Sequence, residues 1–534
     1  MNNNNKQPNK QKDKKSLKNG STKKKNRGVI IMLSGIVIAI VGLFIFNNPF
    51  TAHKFIEPRE SAVEITQVET LQGIKEMNLV DDFGAMPDDG KDDSKAFQSA
   101  LNQAKIEPIK LIIPEGEYLS TGSNNLEATG IKGLHIQGDN AVIKPENPMI
   151  NPSEYYFMKL YFAEENQGVE IEGITIDGSL NPQDLYFTLE EPEDIYDLQL
   201  QRGIMIDGAT DTYVHDVTFQ HMYGGYALSI YNYTNVDIQH ITIDDVGGDD
   251  ITDSFGMALN FGGHSGDAII NIDDVQAQGK VSERDPSYTA WIGIVLQNGS
   301  IQSADYEEHD LDQNTTVNVT NSSFMDYETT FHVESMAGNV YWNSDNITTR
   351  AKDYFIAAGI NGELKERTNN LTMEMTPWGR NNIVHGLYYT ENEKEKNIEG
   401  VHEFSMHNST IDYITLDDVD PIIVGASYGD SVVGNYHNVT FNDLPSYLVV
   451  NGSANLVDSQ INLSEENPFD EETLAAGPFN DERQFVDYKG STQVNKFGDH
   501  QTAETGKVPD WYANYGDIPE PIEQPIAPAE LSGE

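Results

Sequence analysis

Two adjacent carboxylates, with a histidine and an arginine further along the chain, form the most suggestive chemical cluster of this sequence. Asp249 and Asp250 follow a pair of glycines, and His264 lies in a second glycine-rich stretch. A pair of carboxyl groups can act as general acid and general base on the two sides of a glycosidic bond. We predict that the catalytic residues are Asp249, Asp250, His264 and Arg284. The alternative for this cluster is an acidic turn without chemistry.

The same segment contains further oxygen ligands, which suggest a cation. Asp244, Asp245 and Asp253 lie close to the acidic pair in sequence and could bind Ca²⁺, because calcium prefers carboxylate and carbonyl oxygens. In a polysaccharide lyase the calcium would acidify the proton beside a uronate, and Arg202 or Arg284 would act as the base or bind the substrate carboxylate. Hydrolase and lyase chemistry therefore both stay open, with Ca²⁺ as a possible cofactor.

Short strands with alternating apolar residues recur through the middle of the chain, for example in "NVDIQHITIDDV" and "GMALNFGG". Equivalent strands lie 24 to 37 residues apart, since Leu228 follows Ile204 by 24 and Phe331 follows Ile294 by 37. Propeller blades need a longer period of about 40–45 residues. The pattern predicts a parallel β-helix, whose turns are rich in asparagine because asparagine tolerates left-handed backbone and can stack along the axis.

Outward residues at equivalent positions of a β-helix form rows along one face. Aligning the strands predicts one such row of polar and aromatic side chains, which is typical of a saccharide-binding groove. We predict that the substrate-binding residues are Asp207, Tyr231, Asn260, Gln297, His332 and Glu334, with His332 placed two residues before Glu334.

The two ends of the 534-residue chain differ strongly in charge. Residues 1–27 contain ten Lys or Arg and one acid, Asp13, and the uncharged run "VIIMLSGIVIAIVGLFIF" follows. Basic residues before an apolar span favour the cytoplasmic side, so we predict a basic cytoplasmic arm at 1–27 and a transmembrane helix at 28–46. A cleaved signal peptide is the alternative. The protein would then be a single-pass cell-membrane protein with its C-terminal domain outside the cell.

The remaining chain must form a large core without disulfides, because the sequence has no cysteine. Its net charge is −60, obtained from −51 for the whole chain minus +9 for the basic arm. Such an acidic surface excludes nucleic acid as a partner, because phosphate binding needs Lys and Arg patches. We predict a stalk at 47–78, the β-helix with its N-terminal cap at 79–465, and an irregular C-terminal cap with an acidic, proline-rich tail at 466–534.

An acidic stretch opens this β-helix and turns abruptly into a helix pattern. Asp92, Asp93 and Ser94 are typical residues of a helix N-terminus. The apolar face that follows consists of Ala96, Phe97, Ala100, Leu101 and Ala104. A short amphipathic helix there could close the open end of the cylinder, so we interpret the acidic cluster mainly as part of the fold. A cation bound to it is the alternative.

Residues 81–143 resemble the pectate-lyase-like superfamily of rhamnogalacturonase and epimerase-like proteins. The resemblance rests on "LVDDFGAMPDDGKDDSKAFQSALNQA", "LIIPEGEYLS" and "IKGLHIQGDNAVI". It implies a right-handed parallel β-helix that acts on polysaccharide, with this segment as its cap and first rung. The Gly-Asp-Asp at Asp249 and Asp250 also resembles polygalacturonase-like glycosidases. However, His264 follows the strand of the same rung rather than lying one rung later, and no Arg-x-Lys pair follows at the usual distance.

These observations predict a membrane-anchored extracellular β-helix protein that cleaves an exopolysaccharide or cell-wall glycan as a glycoside hydrolase or a polysaccharide lyase. The alternative is a non-catalytic surface protein that binds polysaccharide or acts as a scaffold. The expected partners are a polysaccharide and, through the N-terminal anchor, the membrane.

Overall fold

The structure is a computed structural model, and all residues that it describes belong to the unit Arg59–Glu534. The described residues are 74–121, 126–145, 155–180, 201–222, 226–246, 257–263, 266–279, 290–297, 313–334, 336, 338–358, 362–376, 384–387, 402–414, 425–427, 432–444, 449–450, 453–463, 485–489 and 493–495.

The described residues form strands almost throughout, with one α-helix, α1 (Ser94–Ala104), and one short 3₁₀ helix at Gly178–Leu180. The first fifteen strands are β1 (Lys75–Asn78), β2 (Ile109–Ile113), β3 (Gly116–Ser120), β4 (Leu126–Ile131), β5 (Leu134–Pro145), β6 (Tyr155–Phe162), β7 (Val169–Asp177), β8 (Gln201–Asp207), β9 (Asp211–His215), β10 (Thr218–Gln220), β11 (Tyr226–Tyr231), β12 (Asn235–Val246), β13 (Met257–Gly262), β14 (Ala268–Gly279) and β15 (Ala290–Gln297). The others are β16 (Asn314–Thr320), β17 (Ser323–Glu334), β18 (Asn339–Ala358), β19 (Leu364–Met375), β20 (Val384–Leu387), β21 (His402–His407), β22 (Thr410–Tyr413), β23 (Gly425–Ser427), β24 (Val432–His437), β25 (Thr440–Leu444), β26 (Val449–Val450), β27 (Ser453–Val457), β28 (Gln460–Leu463), β29 (Phe485–Lys489) and β30 (Gln493–Asn495).

These strands pair in parallel, each with its equivalents one coil earlier and one coil later, and 28 of them form one continuous sheet. Each coil of the chain contributes a strand to three stacks of parallel strands, which we call face 1, face 2 and face 3. Face 1 contains β2, β9, β16, β21 and the first halves of β5, β7, β12 and β14. Face 2 contains β3, β10, β22 and the second halves of β5, β7, β12 and β14. Face 3 contains β4, β6, β8, β11, β13, β15, β20 and the last part of β17.

This topology is a parallel β-helix and confirms the nearly all-β, parallel architecture that the sequence predicts. Within one coil, which forms one rung of each face, the strands follow in the order face 3, face 1 and face 2, as β8, β9 and β10 do. The right-handed sense is the rule for crossovers between parallel strands and stays a prediction here.

The corner between face 1 and face 2 is made by single residues with left-handed backbone. Asp216, His240 and Asn346 have φ values of 53°, 51° and 57° at this corner. Asparagine is favoured because its short side chain tolerates this conformation. The amides also stack along the axis, since Asn346 Nδ2 donates to Asn321 Oδ1 at 3.0 Å. The predicted role of asparagine in the turns is confirmed.

The interior of the cylinder is filled by rows of apolar side chains. One row on face 1 consists of Ile136, Ile171, Val214, Ile238 and Ile272, which occupy equivalent positions of successive rungs and are at most 1% exposed. Because side chains alternate between the two sides of a strand, the residues between them point outward. The core therefore fixes which side chains each face presents to solvent.

The predicted helix at the N-terminal end is present as α1. Its apolar face is buried in the same continuous core as the strands. The acidic stretch before it makes local contacts, since Asp92 accepts hydrogen bonds from Ser94 N at 3.1 Å and Thr121 N at 3.0 Å. Asp88 likewise accepts from Glu117 N at 3.0 Å. These contacts support the interpretation of the acidic cluster as part of the fold.

The start of α1 differs in one detail from the sequence expectation. Asp93 occupies the N-cap position but makes no side-chain cap bond. Its Oδ1 instead accepts from Met86 N at 2.8 Å, which ties the preceding loop to the helix. Burial is the largest influence on its carboxyl and raises the pKa of Asp93.

No helix among the described residues is long and apolar enough to cross a membrane. The predicted anchor at 28–46 and the predicted basic arm at 1–27 lie outside the described residues, as do most of the predicted stalk at 47–78 and of the tail at 466–534. The anchor and the domain boundaries therefore stay predictions.

One carboxyl group lies inside the cylinder and makes stability depend on pH. Glu366 is 1% exposed and stands in an inward row between Trp342 and Phe404. Thr368 donates a hydrogen bond to one of its oxygens. Burial raises the pKa of Glu366 well above its ordinary value. The folded protein therefore holds this proton to a higher pH than the unfolded chain does.

We expect wild-type stability to fall, relative to Glu366→Gln, as pH rises above the ordinary glutamate pKa. The free energy of unfolding of the variant should increase relative to that of wild type by up to about 1.4 kcal/mol per pH unit. This increase should end where the pH passes the pKa of Glu366 in the folded protein. Urea unfolding at pH 5, 6 and 7 measures this difference. The exposed Glu115→Gln serves as control and should show no such trend. Parallel pH profiles for wild type and Glu366→Gln would contradict the prediction.

Candidate functional site

The predicted substrate-binding residues lie on the outer side of face 3. Strand pairing places Asp207, Tyr231, Gln297 and Glu334 at equivalent positions of β8, β11, β15 and β17, which confirms their predicted alignment. We call this row the outer row. In β13 the equivalent position is occupied by Gly262, not by the predicted Asn260.

Asn260 belongs to a neighbouring row two residues earlier along each strand. Its equivalents are Ser229, Val295 and His332, and we call this row the middle row. Outward positions recur every second residue, so Asn260 and Gly262 both point outward. The alternating pattern alone does not show which of them lies beside Tyr231. Pairing with Tyr231 selects Gly262.

Asn260 nevertheless joins the two rows by hydrogen bonds. Its Nδ2 donates to the hydroxyl oxygen of Tyr231 at 2.8 Å. Its Oδ1 accepts from Nε2 of Gln297 at 3.1 Å. Three of the predicted substrate-binding residues are therefore held in one hydrogen-bonded chain that crosses three rungs of face 3.

An arginine packed on two tyrosines extends this surface and was not among the predicted substrate-binding residues. The rings of Tyr156 and Tyr226 lie nearly parallel, with centroids 6.5 Å apart. The guanidinium carbon of Arg202 lies 4.5 Å from the Tyr226 centroid and 5.3 Å from the Tyr156 centroid. The Tyr156 hydroxyl donates to Ser229 Oγ at 3.0 Å. Strand pairing places Arg202 opposite Tyr156, so the cation is held against the aromatic faces.

A further aromatic residue, Trp291, lies on the same side of the β-helix. With Tyr226 it packs against the buried residues Ile292 and Val295, which form a cluster separate from the main core. The Trp291 ring lies 6.4 Å from the ring of His332, in an edge-on arrangement. Face 3 thus combines half-buried aromatic rings with amide, hydroxyl and charged groups. This combination suits the apolar faces and hydroxyl groups of sugars.

The acid at the end of the outer row lies in a partly apolar environment. Burial raises the pKa of Glu334 above its ordinary value. His332 Nε2 lies 3.9 Å from Glu334 Oε2, and the histidine is 8% exposed. A carboxyl group with a raised pKa is suited to donate a proton or a hydrogen bond.

The described acids of the outer row cannot act as a glycosidase pair. Asp207 and Glu334 are four rungs apart, which corresponds to about 19 Å at a rung spacing of about 4.8 Å. Glycosidase carboxyl groups lie about 5–9.5 Å apart. Asp207 also has a local partner, because its Oδ1 accepts from Asn232 Nδ2 at 2.7 Å. A glycosidase pair on face 3 would therefore need a second acid from outside this row.

The predicted catalytic residues lie in connecting segments, outside the described residues. Asp249 and Asp250, together with the predicted metal ligand Asp253, lie between β12 and β13. His264 follows β13, and Arg284 precedes β15. Because β13 and β15 belong to face 3, each of these segments enters or leaves that face. The catalytic assignments stay predictions.

The predicted calcium ligands that the structure describes lie on β12. Asp244 is exposed, and Asp245 is half-buried at a bend with φ of 54°. In the described part of the chain, no third acid or histidine lies near enough to complete a metal site with them. Described residues with metal-ligand spacing occur instead on face 1, at His135, Glu170 and Glu172. A calcium site at Asp244 and Asp245 stays a prediction that depends on Asp253.

Comparison with solved structures finds β-helix proteins of several kinds. A surface adhesin of Streptococcus pneumoniae, PfbA, matches with 13% identity and a TM-score of 0.46, over 81% of this chain and 97% of the adhesin. A family 28 exopolygalacturonase of Yersinia enterocolitica matches with 13% identity and a TM-score of 0.44, over 81% and 79% of the two chains. A tailspike protein of E. coli bacteriophage HK620, solved with a pentasaccharide, matches with 9% identity and a TM-score of 0.39, over 78% and 80%. No family model matches the sequence, and neither does any curated protein.

The parallel strand pairing itself establishes the β-helix. The similar structures include polysaccharide hydrolases and an adhesin. With identities this low and TM-scores below 0.5, they carry no argument for a particular activity of this chain.

Proposed function

We propose that this protein is a cell-surface β-helix that binds an extracellular polysaccharide on face 3 and cleaves it. The observation that carries the proposal is the continuous surface of Arg202, Tyr226, Tyr231, Asn260 and Gln297. Arg202, Tyr226, Tyr231 and Gln297 are partly open to solvent, and hydrogen bonds link the last three residues of the set across successive rungs. Successive rungs about 4.8 Å apart match the repeating character of a polymer better than that of a small ligand.

Cleavage would be performed by Asp249 and Asp250, with His264 and Arg284 assisting. The support for this step is chemical, since it needs two carboxyl groups and the described acids of the outer row are too far apart. A membrane anchor at 28–46 would hold the β-helix outside the cell. The polymer would be an exopolysaccharide or a cell-wall glycan.

A non-catalytic polysaccharide-binding protein is the second candidate. The observation that favours it is that face 3 has an organised binding surface, whereas the two acids of its outer row, Asp207 and Glu334, are separated by four rungs. In that case the groove would hold the polymer at the cell surface without hydrolysis.

Incubating the full-length protein with polysaccharide purified from the strain that encodes it separates these candidates. We expect the polymer to become shorter on size-exclusion chromatography and new reducing ends to appear. Absorbance near 235 nm would identify a lyase, because β-elimination leaves an unsaturated uronate, and its absence would identify a hydrolase. Parallel reactions with calcium chloride and with EDTA test the cation. Binding without shortening would favour the second candidate, and neither binding nor shortening would contradict both.

A further inference from the structure

Two histidines and two glutamates meet on the outer side of face 1, on a different face from the proposed polysaccharide-binding residues. His135 belongs to β5, Glu170 and Glu172 to β7, and His215 to β9, so that they occupy three consecutive rungs. They point outward because the residues between them, such as Ile171, belong to the inward row. All four are nevertheless largely shielded, with side-chain exposures of 4% to 21%.

The donor atoms of His135, Glu170 and Glu172 lie within 4.8 Å of one another, and His215 contacts the two glutamates from the next rung. His135 Nε2 is 2.8 Å from Glu172 Oε1. His215 Nε2 is 3.4 Å from Glu170 Oε1 and 3.7 Å from Glu172 Oε2. Two ligands at about 2.0–2.2 Å from a tetrahedral metal lie roughly 3.4 Å from each other. The two glutamates thus lie between a histidine from the rung before and a histidine from the rung after.

A second set of contacts orients the cluster in the way that protein metal sites require. The other ring nitrogen of His215, Nδ1, lies 2.7 Å from Asp216 Oδ2. A carboxylate bonded to the second nitrogen is the usual partner of a metal-bound histidine, because it fixes the tautomer and the ring orientation. Gln137 Nε2 donates to Glu172 Oε1 at 2.7 Å. The ring of Tyr213 stacks on that of His215, with centroids 4.2 Å apart.

We propose that His135, Glu170, Glu172 and His215 bind one divalent transition-metal ion, and that Zn²⁺ fits this donor set best. Two imidazole nitrogens and two carboxylates suit zinc, whereas calcium takes six to eight oxygen ligands. Four protein ligands in a shielded position are typical of a structural site rather than of a catalytic one. The ion would clamp three rungs near the N-terminal end of the β-helix. This site is independent of the proposed polysaccharide binding on face 3.

The competing explanation is an ion-pair cluster in which a proton takes the place of the metal. Burial lowers the pKa of His215, but hydrogen bonds to Glu170 and Asp216 outweigh it and raise this pKa above its ordinary value. Metal ligands must be deprotonated, so the apparent affinity for zinc should rise with pH. A protonated cluster without metal binding predicts no zinc affinity at any pH.

The test uses the purified full-length protein, treated with EDTA, dialysed and titrated with zinc chloride at pH 7.5. Calorimetry and elemental analysis after dialysis should both give one zinc per chain. His215→Asn and Glu172→Gln should weaken binding by at least about tenfold, and Asp216→Asn by about 10–100-fold. The matched control is His437→Asn. His437 lies in the same outward row of face 1 and also faces a carboxylate, with its Nε2 3.8 Å from Asp458 Oδ2.

Zinc should also raise the melting temperature of wild type and of His437→Asn, and should raise that of the three cluster variants less at the same zinc concentration. Melting in EDTA shows that each variant is folded, and if one fails to fold the other two still decide the question. Absence of stoichiometric zinc in wild type would overturn the proposal and leave the protonated cluster. Equal weakening in His437→Asn would overturn it as well, because it would show diffuse binding to an acidic surface. An excess of calcium chloride should not displace the zinc.

Discussion

Replacing both Asp249 and Asp250 by asparagine is expected to abolish cleavage of the polysaccharide while its binding persists. Asparagine keeps the size of the side chain but can neither donate nor accept the proton in the transition state. General acid and base groups each contribute about 10²–10⁴-fold to rate, so the double variant should lose at least about 10³-fold. The rate at which reducing ends appear measures the first effect, and retention of the polymer by immobilised protein measures the second.

The sequence offers a matched control for this variant. Asp417 and Asp418 form another adjacent acidic pair, in the segment that follows β22. Their replacement by asparagine changes charge and composition in the same way and should leave the rate of cleavage unchanged. Loss of activity in this control but not in the first variant would indicate that Asp417 and Asp418 are the catalytic acids. Full activity in both would contradict the assignment of Asp249 and Asp250.

Replacing Tyr226 and Tyr231 together by alanine should weaken polysaccharide binding by about 10–100-fold. Both rings are half-buried on face 3, one against Arg202 and the other hydrogen-bonded to Asn260. Aromatic anchors at the centre of an interface commonly contribute more than about 1 kcal/mol each, and 1.4 kcal/mol corresponds to a factor of ten. Affinity electrophoresis of the variant in gels that contain the polymer measures the change.

A tyrosine on another face provides the comparison for that experiment. Tyr341 is half-buried and lies on the outer side of face 1, next to the inward Trp342 in β18. Tyr341→Ala should melt near wild type and bind the polymer as wild type does. An equal loss of affinity in Tyr341→Ala, or undiminished affinity in the double variant, would show that the polymer does not bind through face 3.

The β-helix could be predicted from the sequence because its causes are local. Alternating apolar residues such as Ile204 and Ile206 define strands, and single Asn or Asp residues with left-handed backbone define one corner. The helix α1 could be predicted for the same reason, since its buried face is a spacing pattern within eleven residues. Predicting these features does not require knowing which strands of neighbouring rungs pair.

The arrangement of side chains across rungs could be predicted only in part. Asp207, Tyr231, Gln297 and Glu334 share a row as expected, but Asn260 was placed two residues out of register. An alternating pattern shows which residues point outward and not which of them pair with the next rung. In "GMALNFGG" the polar Asn260 was therefore chosen over Gly262, which the strand pairing selects.

The metal-ligand cluster of face 1 was missed for a related reason. In sequence, the stretches "LHIQG", "VEIEG" and "TYVHD" read as ordinary strands with polar outer residues. His135 and His215 are far apart along the chain, and only rung stacking brings them to the two sides of Glu170 and Glu172. The usable signal is a histidine or acid at one of two outward positions, two residues apart, in three successive repeats.

The most direct test of polysaccharide recognition on face 3 is amide hydrogen exchange of the full-length protein with and without the polysaccharide of the strain that encodes it. Binding should slow exchange in β8, β11, β13 and β15, where the side chains of the outer and middle rows are attached. Exchange in β9 and in the first half of β7, which belong to face 1, should stay unchanged. Slower exchange confined to face 1, or no change in any strand, would contradict the central claim.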